Sequence, residues 1–299
     1  SYKGGDADYD NINVDKIWYQ FPVGDFTIWA GPLVENYYML ASSPSIYKPM
    51  LKQFALGGNA ATYGSSTDGG FGAAWTQPVD DPSQARWAVS SNYVAKGSEK
   101  ANQGLLTDET QAKWLSKVEY GSPRWQVSLG VAFNNCGKTA AGAADCKEWA
   151  DYYATAEGEE VTGDSTAYAL RAYWKPEDTG LTPEIQLGYD RVDVNDDGSS
   201  TATETAAAWM MGLTWKDAFI DGNRLALAFG QPQRATDVVG GGDADPADSA
   251  WTWELYYDYA VTDGITVTPA LFGATDREDG ATNDSDDFFG AILQTTFKF

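Results

Sequence analysis

Apolar and polar residues alternate along most of the chain, and this period of two predicts β-strands. In residues 124–134, large apolar side chains occupy the odd positions from Trp125 to Phe133, while small or polar side chains occupy the even positions. The same pattern predicts thirteen strands, at residues 14–22, 25–33, 69–77, 84–95, 111–120, 124–134, 164–174, 183–193, 203–215, 223–231, 249–260, 265–274 and 287–299.

The connections between these strands alternate between short turns and long loops. The short ones are residues 22–24, 78–83, 121–123, 175–182, 216–222 and 262–264. The long ones are residues 34–68, 96–110, 135–163, 194–202, 232–248 and 275–286. Short turns on one side and long loops on the other are typical of an outer-membrane β-barrel, whereas a soluble β-sandwich has no reason to keep this order.

The predicted fold class is therefore all-β, a transmembrane antiparallel β-barrel formed by residues 1–299 as one domain. A single-chain bacterial barrel has an even number of strands and leaves no open edge in lipid. Thirteen predicted strands thus indicate that an odd number of N-terminal strands is missing from this sequence. Three missing strands would give sixteen, and one missing strand would give the alternative of fourteen.

Three segments carry a resemblance to a known family: residues 15–22, 265–270 and 293–299, which read DKIWYQFP, ITVTPA and LQTTFKF. They resemble segments of cyanobacterial outer-membrane porins, which are similar to carbohydrate-selective porins and are often labelled iron-uptake porins. The resemblance implies a homotrimer in the outer membrane that forms a passive pore for small ions and solutes. It also implies an upstream surface-layer-homology domain that binds cell-wall polymer.

Composition argues against several classes of function. The formal charge of −23 argues against nucleic acid as a partner, because a phosphate backbone needs a basic surface. The chain has no histidine, which removes Ser/His and Cys/His catalytic pairs and most zinc sites, so we expect no enzyme. Alternative hypotheses are a soluble or surface-exposed all-β carbohydrate-binding protein, a barrel enzyme, and a channel specific for a sugar.

Assignment of faces by alternation predicts a set of charged side chains that point into the barrel. They are the basic residues Lys16, Arg86, Lys113, Lys117, Arg171, Arg224 and Lys298 and the acidic residues Glu119, Asp190, Glu254 and Asp258. Charged side chains around an aqueous pore set its ion selectivity. The remaining acidic surplus would lie in the external loops, where it would attract cations, whereas a basic waist would favour anions or balance the acidic mouth. The alternative is that the inward charges are merely solvated.

The longest connection, residues 34–68, is predicted to fold into the barrel and narrow it. Tyr47, Lys48 and Lys52 would then line the constriction. The alternative is a loop that packs over the mouth or onto a neighbouring subunit. Inward-pointing rings would either fill space near the wall or stack against sugars; they are Trp18, Trp29, Tyr173, Tyr256 and Phe272.

Two smaller sequence features concern a candidate calcium site and a candidate disulfide. Asp193, Asn195, Asp197 and Glu204 fit the spacing of a calcium-binding loop, although predicted strands rather than helices flank them. Bound structural calcium is therefore an alternative to an ordinary acidic turn, and no other cofactor is expected. Cys136 and Cys146 lie ten positions apart and could close a small disulfide loop in an oxidising compartment.

Overall fold

The computed structural model describes residues 14–58, 62–64, 67–138, 163–177, 180–195, 203–238, 250–278 and 285–298. Thirteen antiparallel strands form one sheet, in which each strand pairs with its neighbours in sequence. The strands are β1 (Ile17–Val23), β2 (Phe26–Val34), β3 (Asp68–Thr76), β4 (Arg86–Lys96), β5 (Gln111–Ser122), β6 (Trp125–Asn135), β7 (Ser165–Trp174), β8 (Glu184–Val194), β9 (Thr203–Lys216), β10 (Arg224–Val238), β11 (Trp251–Thr262), β12 (Ile265–Glu278) and β13 (Ser285–Phe297).

The prediction of an all-β fold of thirteen antiparallel strands is confirmed. The order runs from β1 to β13, which form the two edges of the sheet as far as the described residues show it. The helical structure of the described residues is limited to two short 3-10 helices, Asn36–Tyr38 and Lys52–Gly57. None of the described helices has the length and apolar character needed to cross a bilayer.

Two strands extend further than the alternation predicts. The predicted strand 223–231 ends before Pro232, but β10 continues to Val238 after a register shift between Gln231 and Arg234. Proline has no N–H to donate, so the ladder skips it and resumes beyond it. In the same way β12 continues past residue 274 to Glu278, with a register shift between Ala274 and Arg277. The connections after these strands are correspondingly shorter than predicted.

The tightest turns join β1 to β2, β5 to β6 and β11 to β12. They consist of residues 24–25, 123–124 and 263–264. Gly24 has φ 58°, a conformation that other residues adopt only with strain, and it lets the chain reverse within two residues. These turns and the other short connections lie at one end of the strands. The longest connections, residues 35–67 and 136–164, lie at the opposite end.

Burial in the sheet is the inverse of that in a soluble protein. On β5, Lys117 and Glu119 are buried, while the intervening Val118 and the adjacent Tyr120 are exposed. On β6, small and polar residues such as Ser128 are buried while the large apolar side chains are exposed. Exposed apolar surface on this scale needs an apolar environment, which a bilayer provides to the outside of a barrel.

Aromatic residues on the exposed face are concentrated near the two ends of the strands. Near the short turns, the ring of Tyr120 lies 4.7 Å from that of Trp87 and 5.6 Å from that of Trp125, measured between centroids. Near the long connections, Trp114 contacts Tyr93 with 5.9 Å between ring centroids. Six positions separate Trp114 from Tyr120 on β5, about 20 Å of strand, and this is close to the ~25 Å apolar band between the aromatic girdles of a membrane barrel.

Candidate functional site

The candidate site lies on the face of the sheet where polar side chains are buried, which we call the inner face. The connection between β2 and β3, residues 35–67, runs across this face, and we call it the crossing segment. Its described residues, 35–58, 62–64 and 67, bind side chains of strands from β4 to β11.

The crossing segment is first held by β4. The Asn36 side-chain amide donates a hydrogen bond to Asn92 Oδ1 at 2.6 Å, and the Asn92 amide donates to the Met39 carbonyl at 3.2 Å. The Ala41 N–H donates to Ser90 Oγ at 2.8 Å. Asn92 and Ser90 occupy alternate positions of β4, so both point to the inner face and together they fix the direction in which the segment leaves β2.

Ser42 then contacts β5 and β6. Its hydroxyl donates to Glu119 Oε2 at 2.9 Å and accepts from the Gln126 side-chain amide at 3.0 Å. The Lys117 ammonium donates to the Ser42 carbonyl at 2.9 Å and also forms an ion pair with Glu119. Because Lys117 and Glu119 are both buried, their mutual attraction and these hydrogen bonds offset the loss of water around the two charges.

Residues 46–51 reach the far side of the inner face. The Ile46 N–H donates to Gln186 Oε1 of β8 at 3.0 Å. Glu254 of β11 accepts from the Tyr47 hydroxyl at 2.9 Å and from the N–H of Leu51 at 2.6 Å. Adjacent residues thus bind strands three places apart in the sheet, about 14 Å if the sheet were flat, and the inward curvature of a barrel wall shortens that distance.

Tyr47 is held firmly as a hydrogen-bond donor. Burial raises the pKa of Tyr47 above its ordinary value, and the nearby Glu254 carboxylate raises the pKa further. The phenol therefore stays protonated and donates to Glu254 at any physiological pH. Tyr47 was predicted to line the constriction; its ring lies at the cavity described below, but only 3% of the residue is exposed, so its main role here is to anchor the segment.

The return path of the crossing segment is held by Arg171 of β7. Its Nε donates to the Leu56 carbonyl at 2.9 Å, and its guanidinium forms a buried ion pair with Asp190 of β8 at 2.8 Å. The guanidinium also lies over the ring of Tyr63, 5.4 Å from the centroid. Leu56 and Gly57 have positive φ values of 58° and 81°, and this turn directs the Leu56 carbonyl at Arg171.

Glycines on the inner face make room for the crossing segment. A Cβ added to Gly188 of β8 would overlap the carbonyl oxygen of Gly57. A Cβ at Gly212 would lie 2.6 Å from the Tyr47 ring, and one at Gly130 would lie 2.7 Å from the Tyr63 hydroxyl. Contacts this close are not tolerated, so the side-chain-free positions let the segment lie directly against the sheet.

These contacts change the interpretation of several predicted pore-lining residues. Lys113, Lys117, Glu119, Arg171 and Glu254 have the predicted inward orientation, but each is at most 5% exposed because the crossing segment covers them. Lys113, for example, donates to the Gly64 carbonyl. They are anchors of the segment and not surfaces open to solvent, a distinction that alternation along a strand cannot make.

An open cavity of about 840 Å³ lies between the crossing segment and the short-turn ends of β7 to β10. Lys48 and Lys52 of the segment line it together with Lys175, Lys216 and Arg224. Its acidic lining residues are Glu35 and Glu184. Lys216 pairs with Glu184 at 2.5 Å, and Arg224 pairs with Asp258. Both predicted constriction lysines and the predicted Arg224 thus meet at one cavity.

The remaining predicted inward residues take simpler positions. Lys16 lies just before β1 and pairs with Glu35 at 3.2 Å. Arg86 is the first residue of β4 and is half-buried on the inner face. Of the predicted inward rings, Trp29 and Tyr256 are almost fully buried, and Trp18 stacks on Tyr38 at 5.2 Å between centroids.

The predicted calcium loop and disulfide lie partly outside the described residues. Asp197 and Cys146 are not described, and Asp193 forms an exposed ion pair with Arg191 at 2.7 Å. Among the described residues, no group of three or more acidic or cysteine side chains could hold a metal ion. Cys136 is disulfide-bonded. Calcium binding stays a prediction.

Sequence reasoning missed the uncharged anchors of the crossing segment. Ser90, Asn92, Gln126 and Gln186 are buried on the inner face and bind the segment, yet none was singled out. Their signal was present in the alternation, since each is a hydrogen-bonding side chain at an inward position. What the sequence lacked was any sign that these positions would be covered.

The inverted burial, the concave inner face and the meander of antiparallel strands together define the fold of outer-membrane barrel proteins. Three solved structures are similar to the chain in fold. Pseudomonas putida OprB is 14% identical, with a TM-score of 0.57 over 94% of this chain and 71% of OprB. OmpT of Vibrio cholerae, an outer membrane protein solved in its trimer form, is 11% identical, with a TM-score of 0.52 over 96% of this chain and 82% of OmpT. The outer membrane channel DcaP of Acinetobacter baumannii is 13% identical, with a TM-score of 0.50 over 93% of this chain and 83% of DcaP.

Sequence comparison adds one relative. An uncharacterized protein of Nostoc sp., alr4550, is 23% identical over the whole of this chain, which spans about half (52%) of that relative's length. No protein-family model matches the chain. The structural likeness is to outer-membrane proteins, one of them named as a channel, and it shows the fold of the chain.

Proposed function

We propose that this protein is an outer-membrane porin, a passive aqueous channel for small solutes and inorganic ions. One observation carries the proposal: the crossing segment lies across the concave inner face of a sheet whose outer face is apolar. A sheet of this kind encloses a lumen when it closes as a barrel, and a segment bound across the inside narrows that lumen.

The crossing segment is proposed as the constriction. It leaves β2, contacts β4 to β6, reaches β11 and returns past β7, so it divides the inner face into a covered part and an open part. Lys48 and Lys52 are exposed toward the cavity, while the residues beside them bind the wall. Any solute that passes through the lumen would meet these two side chains.

The complete barrel is proposed to have sixteen strands, with fourteen as the alternative, and to lie in the outer membrane as a homotrimer. The trimer form of the similar OmpT supports this assembly. Binding of cell-wall polymer through an upstream domain, and iron or carbohydrate as the transported solute, rest on the sequence resemblance alone.

Planar-bilayer recording of the full-length protein tests the proposal. We expect stepwise, ohmic increases in conductance as single channels insert. The variant Glu254→Gln removes the charge that accepts the Tyr47 and Leu51 hydrogen bonds, and charge-assisted bonds of this kind are each worth about 1.5–3 kcal/mol. We therefore expect larger and noisier conductance steps, together with faster trypsin cleavage after Lys52.

The matched control is Glu184→Gln, which removes an inner-face carboxylate that pairs with Lys216 and makes no hydrogen bond to the described residues of the crossing segment. It should leave trypsin cleavage after Lys52 unchanged. Absence of conductance steps, or a protein that is monodisperse in water without detergent, would contradict the porin function. Steps that are identical in wild type and Glu254→Gln would contradict the constriction.

A further inference from the structure

We propose that the cavity beside the crossing segment selects small anions over cations, although the protein as a whole is strongly acidic. This inference rests on the proposed porin function and assigns its ion preference. It depends on which charged side chains line the cavity without being buried under the crossing segment or paired with an opposite charge.

The charge of the cavity is opposite to that of the chain. The chain has 43 acidic and 20 basic residues. The cavity is lined by five basic residues and two acidic ones. Both acidic residues already have a basic partner, because Glu184 pairs with Lys216 and Glu35 pairs with Lys16. Among the described residues, no lining carboxylate is therefore left over to attract a cation.

The basic residues are not neutralised to the same extent. Lys48 is exposed, and its ammonium forms no ion pair with any residue in the described part of the chain. Lys175 is half-buried; its ammonium lies 5.3 Å from the centroid of the Tyr173 ring, and it too forms no ion pair with a described residue. Lys48 lies on the segment and Lys175 at the end of β7, so the two positive charges border the cavity from opposite sides.

The arrangement of the wall reinforces this positive surface. Lys216 and Arg224 are direct cross-strand partners in the β9–β10 ladder. Like charges in this position repel each other and are normally avoided in a sheet. Here the acids Glu184 and Asp258 relieve the repulsion from flanking strands, while both cations still line the cavity. The wall therefore presents donors that can contact a passing anion without any one of them binding it tightly.

The expected effect follows from simple electrostatics. A unit charge about 7 Å from an ion path in water changes the local concentration of a monovalent ion roughly threefold, with opposite sign for anions and cations. Screening reduces this effect beyond the Debye length, about 10 Å at 0.1 M salt. Two open lysines at one cavity are thus expected to favour anions there.

Reversal potentials in a tenfold KCl gradient test the inference on the full-length protein in planar bilayers. For wild type we expect chloride to be several-fold more permeant than potassium. For the double variant K48E/K175E we expect the ratio to fall by at least tenfold and to favour potassium, because each substitution reverses one charge at the cavity.

The control is Lys100→Glu, which makes the same charge change on the exposed connection after β4, away from the cavity. It should leave the permeability ratio within about twofold of wild type, given screening over that distance. Channels that prefer potassium in wild type, or whose ratio is unchanged in K48E/K175E, would overturn the anion preference and leave the porin function standing. If no channels form, the proposed function itself fails, and the inference falls with it.

Discussion

The covered and open parts of the inner face use the same kinds of residues in different ways. Beneath the crossing segment, Arg171 pairs with Asp190 and both side chains are 1% exposed. At the cavity, Lys216 pairs with Glu184 although its own side chain is 50% exposed. Both pairs join neighbouring strands on one face of one sheet, so what separates them is whether water reaches the charge.

This difference decides what each pair does. A buried ion pair has lost its water, so removing one partner leaves the other charged and unsolvated. In the cavity pair only Lys216 keeps its water, because the Glu184 side chain is 7% exposed, so the lysine charge can be lost at little cost when another donor reaches that carboxylate. The covered part of the inner face is thus structural, and the open part is free to interact with ions.

Breaking the buried Arg171–Asp190 pair should lower the free energy of unfolding more than any other substitution that we propose. Arg171→Met leaves the Asp190 carboxylate buried without its partner and also removes the hydrogen bond to Leu56. We expect a loss of about 3–5 kcal/mol in the free energy of unfolding. Equilibrium unfolding in urea, followed by tryptophan fluorescence of the detergent-solubilised protein, measures it.

The matched control is Arg191→Met, which breaks an arginine–aspartate pair with side chains 48% and 41% exposed. Its loss should be at most about 1 kcal/mol. Equal losses in the two variants would show that coverage by the segment does not matter.

Adding a side chain at Gly188, beneath the crossing segment, should have an intermediate effect on the free energy of unfolding. In Gly188→Ala the new methyl group would overlap the Gly57 carbonyl, so the segment must shift away from β8. Overpacking of this kind costs about 1–3 kcal/mol. We expect that loss in urea unfolding, accompanied by a change in single-channel conductance.

Gly180→Ala is the comparison for this variant, since a Cβ at Gly180 meets no atom within 4 Å. It should change neither stability nor conductance. If Gly188→Ala also behaved as wild type in both measurements, the segment would not lie against β8 in the membrane.

The smallest effect on stability is expected at the open cavity. Lys216→Gln removes the charge of the half-exposed partner of Glu184 but keeps an amide that can donate to this carboxylate, so the loss in unfolding free energy should be below about 1 kcal/mol. The same urea titration measures it. A loss as large as that of Arg171→Met would mean that the cavity is closed to water, and the contrast between the two parts would disappear.

The sheet could be predicted from the sequence because alternation is a local property. Each predicted strand overlaps an observed one, and the residues predicted to face inward on β5 and β6 are those that are buried. The errors fall at Pro232 and beyond residue 274, where a register shift carries the strand across a position that interrupts the pattern.

The division of the inner face could not be predicted, because it depends on contacts between residues far apart in sequence. Lys113 is an inward-pointing residue of β5, and Lys175 directly follows β7. The crossing segment covers Lys113 at Gly64, whereas Lys175 borders the cavity. Nothing within a few residues of either lysine differs in a way that indicates this outcome. It is decided by where the crossing segment lies.

The hydrogen bond between Tyr47 and Glu254 joins residues 207 positions apart in the sequence. A contact of such long range cannot form until the strands between its two ends have been brought together. The segment must therefore wait, unattached at its far end, while β3 to β11 assemble. We therefore expect the proposed lumen to reach its final width only after β11 has joined the sheet.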